Sequence, residues 1–351
     1  MDAASQPSKR SACLGRPDGV YIIAEAGVNH DGCLEKARAL IDAARSAGAD
    51  AVKFQAFSAA RIAAADAPTC AYQATEAGES QARMLARLEL SPADFAVLKR
   101  YAEQRGIAFL CTPFSIPDLE MLVALGVSAL KIASPDIVNV PLLRAAAATG
   151  LPLIASTGAA TLDEIDAAVA LLTVAGARDR LSLLHCVSAY PTRPAEARLG
   201  CIRTLADRFG CPVGFSDHTD DAAFAALAVA AGARILEKHL TLDRSANGPD
   251  HFFSLEPDAM ARYVATARAA LTALGDGRVA PSESELEVRR LARGSLVTQR
   301  PLRAGEALAA EHLLVQRPAG GIPPDAFDSV IGRVMRVDVP AQTRIEWSML
   351  A

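Results

Sequence analysis

Eight short apolar runs of strand length recur along the chain, and between them lie alanine- and leucine-rich stretches with helical spacing. That alternation constrains the fold more than any other feature. Parallel strands need a long crossover between them, and a helix is the usual one. The patterning predicts strands over 21–27, 51–57, 108–114, 129–135, 151–158, 181–188, 213–219 and 233–241. It predicts helices near 34–47, 93–105, 118–125, 140–149, 162–174, 201–209, 221–231 and 257–274. The economical arrangement is an α/β chain folded as a (β/α)8 TIM barrel, with function at the C-terminal ends of the strands.

Polar residues collect at those ends. Glu25 closes the first predicted strand, Lys53 and Gln55 the second, and Thr112 the third. Lys131 and Ser134 close the fourth, with Asp136 just beyond. Ser156 and Thr157 end the fifth, Ser188 and Tyr190 follow the sixth, and Asp250 lies in the loop after the eighth. Charges inside strands are costly, so packing alone does not explain such a series. Along a strand, residues two apart share a face. Ser216 and His218 therefore share one face of the seventh run, and Glu237 and His239 one face of the eighth. Two neighbouring strands would offer two imidazoles and a carboxylate to one point, an incomplete divalent-metal site with open positions. Lysines and hydroxyls suit phosphate and carboxylate oxygens. Anion, metal and carbonyl together point towards phosphoenolpyruvate adding to an aldehyde. Lys238 alternates to the opposite face and reads as structural, as does His185 inside an apolar run. His30 reads as a neighbour of the site or part of a lid.

The 351 residues are 51% hydrophobic, enough for one large domain and a small second one. A net charge of -4 gives no reason to expect nucleic acid, and no apolar run reaches membrane-span length. Residues 1–19 are polar, without a secretory apolar segment, and read as a disordered leader. Seven scattered cysteines with no CxxC pair indicate reduced thiols in a cytoplasmic enzyme, with Cys111 and Cys186 as buried structural thiols. The insertion at 58–90, with Tyr72, Gln73, Glu76, Glu79 and Gln81, is expected to cover the barrel mouth. The barrel is expected over 20–275, a polar linker over 276–293 and a small β-rich domain over 294–351. That last domain is small for independent stability and should lean on a barrel, its own or a partner's.

The motifs Ile23-Ala-Glu-Ala-Gly-Val-Asn-His-Asp-Gly32, Ala51-Val-Lys-Phe-Gln55, Thr112-Pro-Phe-Ser115, Lys131-Ile-Ala-Ser134, Gly214 to Thr219, Glu237 to Leu240 and Gly248-Pro-Asp250 resemble those of the bacterial sialic acid synthase family. That family includes the N-acetylneuraminate, legionaminate and pseudaminate synthases. Gln316-Arg317-Pro318-Ala319-Gly320 resembles a segment of its C-terminal antifreeze-like (SAF) domain. The resemblance implies condensation of phosphoenolpyruvate with N-acetylmannosamine or a related 2-acylamino aldose. The alternative acceptor is 2,4-diacetamido-2,4,6-trideoxymannose, giving N,N'-diacetyllegionaminate. By the same resemblance His218 and His239 would hold manganese, with magnesium or cobalt as alternatives. Lys53, Thr112, Lys131, Ser134, Ser156 and Ser216 would bind phosphoenolpyruvate. Glu25, Asp136, Ser188, Tyr190, Asp250 and Arg317 would meet the sugar, with Glu25, Glu237 and Asp250 catalytic. Ser188 and Asp136 depart from the family pattern. A homodimer with exchanged C-terminal domains is implied. Two other readings are a Schiff-base aldolase using Lys131 and an ice- or ligand-binding protein built on the C-terminal domain; residues 296–351 show none of the flat repeat the second would need.

Overall fold

The computed structural model describes residues 14, 19–64, 67 and 80–351. The chain divides into two compact units, Met1–Gly275 and Asp276–Ala351. In the first, eight parallel strands close into a barrel in sequence order: β1 (Tyr21–Gly27), β2 (Ala51–Ala56), β3 (Ala108–Pro113), β4 (Leu130–Ile132), β5 (Leu153–Ser156), β6 (Leu181–Cys186), β7 (Val213–Asp217) and β8 (Ile235–His239). The helices of this unit are α1 (Leu34–Ser46), α2 (Ala59–Ile62), α3 (Gln81–Ala86), α4 (Pro92–Arg105), α5 (Ile116–Leu125), α6 (Val140–Ala148), α7 (Leu162–Val174), α8 (Gly200–Phe209), α9 (Phe224–Ala230) and α10 (Pro257–Leu274). No helix among the described residues is long and apolar enough to cross a membrane.

The two-residue period of the strands sorts their side chains into an apolar interior layer and a polar layer above it. Ile23, Ala51, Leu110, Ala129, Ile154, Leu184 and Ile235 form one buried cluster inside the barrel. Two positions further along the same runs stand Glu25, Lys53, Thr112, Lys131, Ser156, Cys186 and Glu237, all lining a cavity. In β7 the apolar position is Gly214, where an added Cβ would overlap the Ile235 carbonyl oxygen and lie 2.6 Å from Leu184 Cδ2. Only a residue without a side chain fits between β6 and β8. The outward positions, among them Val52, Phe54, Phe109, Leu153, Phe215 and Leu236, join the larger core beneath the helices. Lys238 also faces outward: its Nζ lies 3.3 Å from Asp217 Oδ1, donates to the Thr219 carbonyl and sits 5.8 Å from the Tyr263 ring centre. It is structural, as alternation predicts.

Several runs end earlier than their hydropathy predicts. The fourth stops at Ile132, and Ser134–Val138 turns into a 3-10 helix with Pro135 in its first turn. Proline has no N–H to give a neighbouring strand, and its fixed φ suits the turn. In the insertion after β2, α2 and α3 are helical, and Gln81 opens α3. Tyr72, Gln73, Glu76 and Glu79 lie outside the described residues, as does most of the leader.

The second unit departs from the expected organisation at its start. The stretch predicted as a polar linker contains a ten-residue helix, α11 (Glu283–Ala292), none of whose residues is buried. Ser282 and Glu285 form a capping box: the Ser282 N–H and hydroxyl both donate to Glu285 Oε2, at 2.7 Å. This signature satisfies helix-start donors that a linker would leave to water. Beyond it, β9 (Ser295–Thr298) and β10 (Leu313–Gln316) pair antiparallel. Within the expected β-rich domain, Val334, Met335 and Val339 make only isolated bridges, and α12 (Phe327–Val330) is a single turn. Leu296, Leu302, Leu308, Ile322, Val330, Met335 and Ile345 are in the unit's own core.

Candidate active site

The strand ends open on a cavity of about 550 Å³. Of the residues singled out from the sequence, Glu25, Lys53, Thr112, Lys131, Ser134, Asp136, Ser156, Tyr190, Ser216, His218, Glu237, His239 and Asp250 all line it. Closure of the barrel does this: Glu25 pairs with Lys53 across β1–β2 and with His239 across β1–β8, while Ser216 pairs with Glu237 across β7–β8. Ser188 is not on that wall. It lines a separate cavity of about 600 Å³ with Thr157, His185 and Cys201, on the far side of Cys186, which lines both cavities. Arg317 is exposed and belongs to the second unit.

The floor holds alternating buried charges. Lys53 Nζ lies 2.6 Å from Glu25 Oε2 and 3.6 Å from Glu237 Oε2, and it donates to Thr112 Oγ1 at 3.2 Å. Lys131 Nζ donates to Glu237 Oε1 at 3.1 Å, and Ser216 Oγ donates to the same oxygen at 3.0 Å. Burial pushes the Glu237 carboxyl up, but Lys131 and Lys53 together pull it down to about 2. Burial outweighs Glu237 at Lys131 and lowers its ammonium below the usual lysine range. Lys53 faces two carboxylates, which overcome its burial and raise it. Glu25 is raised by burial against the pull of Lys53. Burial and then the Glu25 charge push Asp250 up to about 7.

The two imidazoles have ring centres 5.4 Å apart. His218 Nδ1 lies 2.9 Å from the Val187 carbonyl oxygen, a contact that only an Nδ1–H can make, which leaves Nε2 as the lone-pair nitrogen. Its pKa is raised: burial lowers it, but Cys186 and the Val187 carbonyl raise it more. His239 is pushed well below the usual histidine range by burial and by His218, so it is neutral. Its Nδ1 is buried with no hydrogen-bond partner among the described residues. A fixed tautomer on one ring and an unpartnered nitrogen on a neutral second ring are what a divalent cation needs. The carboxylate expected at the same point, Glu237, turns to the lysines instead, held by the Lys131 ammonium at 3.1 Å and the Lys53 ammonium at 3.6 Å. The acid beside the rings is Asp250, whose Oδ2 lies 3.6 Å from His239 Nδ1. No group of three His, Cys, Asp or Glu side chains able to hold a metal forms among the described residues.

Other groups acquire partners only in the fold. Gln55 Nε2 donates to Glu25 Oε1 at 3.0 Å and steadies it. Asn139, which the strand-end pattern did not single out, lines the cavity and donates to Asp136 Oδ1 at 2.8 Å. Ser134 Oγ accepts the Gly158 N–H at 3.0 Å, whereas the buried Ser156 Oγ has no hydrogen-bond partner among the described residues. The Tyr190 ring centre lies 4.3 Å from that of His218. His185 is structural, with Nε2 2.7 Å from the Ala197 carbonyl oxygen. His30 is fully buried and pushed down to about 4 by burial; its Nδ1 accepts the Gly32 N–H at 3.0 Å. Cys111 and Cys186 are buried free thiols, and Cys186 Sγ sits 3.9 Å from His218 Nδ1. The cavity is also lined after β1, β2 and β3 by Val28, Phe57, Ile62, Met84, Leu85 and Phe114, which were not singled out, since α2 and α3 are too short for a helical period to show.

Comparison with known proteins bears on this arrangement. Residues 40–279 match the NeuB family and residues 293–351 match the SAF domain. The chain is 42% identical to an N,N'-diacetyllegionaminic acid synthase of Legionella pneumophila, over 93% of this chain and 93% of that one. It is 40% identical to the N,N'-diacetyllegionaminic acid synthase of Campylobacter jejuni, over 89% and 95%. Its fold is similar to the crystal structure of an N-acetylneuraminic acid synthetase from Leptospira borgpetersenii in complex with citrate, with a TM-score of 0.69 at 39% identity, covering 77% of this chain and 90% of that one.

Proposed function

The chain belongs to the NeuB family, with a SAF domain at its C-terminus, and from that premise we propose that it is a nonulosonic acid synthase. It joins phosphoenolpyruvate to an acylamino aldose and water, giving a nine-carbon 2-keto acid and inorganic phosphate. The observation that carries this reading is the cavity floor, where two buried lysines and an unpartnered buried hydroxyl, Ser156, adjoin two imidazoles. Lys53 and Lys131 bind the phosphate and carboxylate of phosphoenolpyruvate, with Thr112, Ser134, Ser156 and Ser216 around them. Glu237, held ionised between the lysines, keeps both ammonium groups aimed at the floor. His218 and His239 would hold a divalent cation, manganese by preference, whose contribution when bound is Lewis-acid polarisation of a carbonyl. The methylene carbon of phosphoenolpyruvate bonds to the aldehyde carbon, and the aldehyde oxygen takes up a proton to become a hydroxyl. Water adds at the carbon that bears the phosphate, and Glu25 takes one of its protons, matching the proton gained by the aldehyde oxygen. The C–O bond to phosphate then breaks, and the new hydroxyl gives its remaining proton to the leaving phosphate as the ketone forms. Asp250, Asp136 and Tyr190 meet the sugar. In this reading Lys131 binds an anion as an ammonium, steadied by Glu237, and forms no imine.

We also propose that Arg317 of one copy completes the barrel cavity of another, where its planar guanidinium would meet the amide oxygen of the acyl group. An exchanged homodimer working in the reducing cytoplasm agrees with the free thiols of Cys33, Cys111, Cys186, Cys201 and Cys211. Two acceptors fit the reaction, N-acetylmannosamine and 2,4-diacetamido-2,4,6-trideoxymannose. The test is to incubate the protein with phosphoenolpyruvate, Mn²⁺ and each sugar, then weigh the products and measure released phosphate. A nine-carbon acid and stoichiometric phosphate are expected, abolished by chelator and restored by Mn²⁺. Turnover that survives exhaustive chelation would remove the metal from the reading, and a borohydride-trapped adduct at Lys131 would replace it with an aldolase.

A further inference from the structure

Asp250 stands on the loop that leaves β8 after His239 and returns at Leu255, whose N–H donates to the His239 carbonyl at 2.9 Å. Its carboxyl closes with that of Glu25 around Gly27, where an added Cβ would lie 3.3 Å from Glu25 Oε1 and 3.4 Å from Asp250 Oδ2. Two carboxyls brought that close repel when both ionise, and a loop has no strand ladder to hold one of them in place. The turn after β1 supplies the hold. Asn29 is buried, and its Nδ2 donates to the Leu240 carbonyl and to Ser254 Oγ, each at 2.9 Å. A carbonyl only accepts, so the nitrogen of the amide must face Leu240. Ser254 is fully buried, and its hydroxyl in turn donates to the Asp250 carbonyl. A second tie runs beside this one: His251 Nε2 donates to Asp31 Oδ1 at 3.0 Å, and His251 Nδ1 lies 2.7 Å from Thr241 Oγ1.

This chain of contacts bears on the acceptor, given the reaction proposed above, in which Asp250 meets the sugar. Asp250 lines the cavity, whereas Asn29 and Ser254 stand behind it and do not. We propose that Asn29 and Ser254 are positioning residues that fix Asp250 against Glu25 and His239, and that through Asp250 they set the affinity for the acceptor sugar while leaving that for phosphoenolpyruvate alone. The separation follows from what holds each group. Lys53, Thr112, Lys131, Ser156 and Ser216 are on strands that pair with their neighbours around the closed barrel, and Ser134 is held by the Gly158 N–H. Without the Ser254 hydroxyl, the Asn29 N–H and the Asp250 carbonyl lose a partner in a buried place. The loop relieves this by shifting until water reaches them. Asp250 moves with the loop, and the floor stays where the barrel puts it.

The experiment measures steady-state phosphate release by the full-length protein with Mn²⁺, varying phosphoenolpyruvate and the faster of the two proposed sugars in turn. Ser254→Ala should raise the KM for sugar about 10-fold, as expected for one buried hydrogen bond. The KM for phosphoenolpyruvate and the Mn²⁺ concentration giving half-maximal rate should stay within about twofold of the parent. Asn29→Ala should divide the two substrates in the same way, and the double variant should match Asn29→Ala alone, because both changes break one chain of hydrogen bonds. Ser254→Cys, close in shape and a weaker donor, carries the same test if Ser254→Ala does not melt cooperatively. An unchanged KM for sugar, or a rise in both KM values together, overturns the inference and leaves the reaction standing. A shifted Mn²⁺ requirement in Ser254→Ala would assign the chain to His239 in place of Asp250, and additive losses in the double variant would cut the link between Asn29 and Ser254; either also overturns it. No phosphate release from the unaltered protein with either sugar overturns the reaction and the inference together.

Discussion

Asp250 is the residue whose ionisation the fold disturbs in the most testable way. It is held at about 7 by burial and by Glu25, against a usual value of 3.8. A carboxyl raised on folding keeps its proton in the native state over a window where the unfolded chain has lost it. The native state then binds more protons, and stability falls as pH rises from about 4 to about 7. Asp250→Asn keeps the shape and removes the titration. In chelator-treated protein, its stability gain over the parent should therefore be small at pH 4 to 5 and grow to roughly 2–4 kcal/mol at pH 8. Thermal melting across that range checks this, and parallel curves for the two proteins would refute it. The sequence marked Asp250 through Gly248-Pro-Asp250, but not its nearness to Glu25, because Glu25 is far from both Asp250 and His239 in the chain and reaches them only when β1 pairs with β8.

At the scale of elements, the strands carry the most information because their period is two and the barrel is closed. The rule that an apolar inward residue is followed two positions later by a polar one holds across β1, β2, β3, β5 and β8, and it breaks at Cys186 in β6 and at Gly214 in β7. Gly214→Ala should destabilise the barrel by about 3 kcal/mol, since the obstacle is the Ile235 backbone oxygen, which cannot rotate away. Thermal or denaturant unfolding reads this directly, and an unchanged midpoint would mean that β7 and β8 can separate without cost. Helices were legible where apolar spacing reached a full face, as in α10. They were missed where the signal was polar: α11 has no buried residue, so its only sequence mark was the Ser282 and Glu285 pair.

For the whole molecule the open matter is which barrel Arg317 serves. Exchange between copies predicts a behaviour that no single chain can show. Arg317→Ala and His218→Ala should each be nearly inactive alone, since on the proposed reading one would lack the contact to the sugar and the other a ligand to the metal. Mixed dimers would contain one site with an intact barrel and an intact arginine, so mixing the two proteins under conditions that allow subunit exchange should recover up to about a quarter of the native activity. Mixed dimers confirmed by mass that stay inactive would assign Arg317 to its own chain or to no catalytic role.

By itself the sequence determined the barrel, the ring of polar residues at its mouth and the family, because each rests on local order: a two-residue period, a repeated strand–helix unit and short contiguous motifs. Only the tertiary structure decided which of those polar groups face one another. Glu237 was expected beside the imidazoles and stands between Lys53 and Lys131, where opposite charges draw it. Asp250 takes the place beside His239. Ser188 falls on a different cavity, while Tyr190, two residues on, lines the main one. The apolar cluster of Val28, Phe57, Met84 and Leu88 forms only when α3 meets the segments that follow β1 and β2. Charge pairing and loop convergence are contacts between distant residues, and a one-dimensional pattern does not record them.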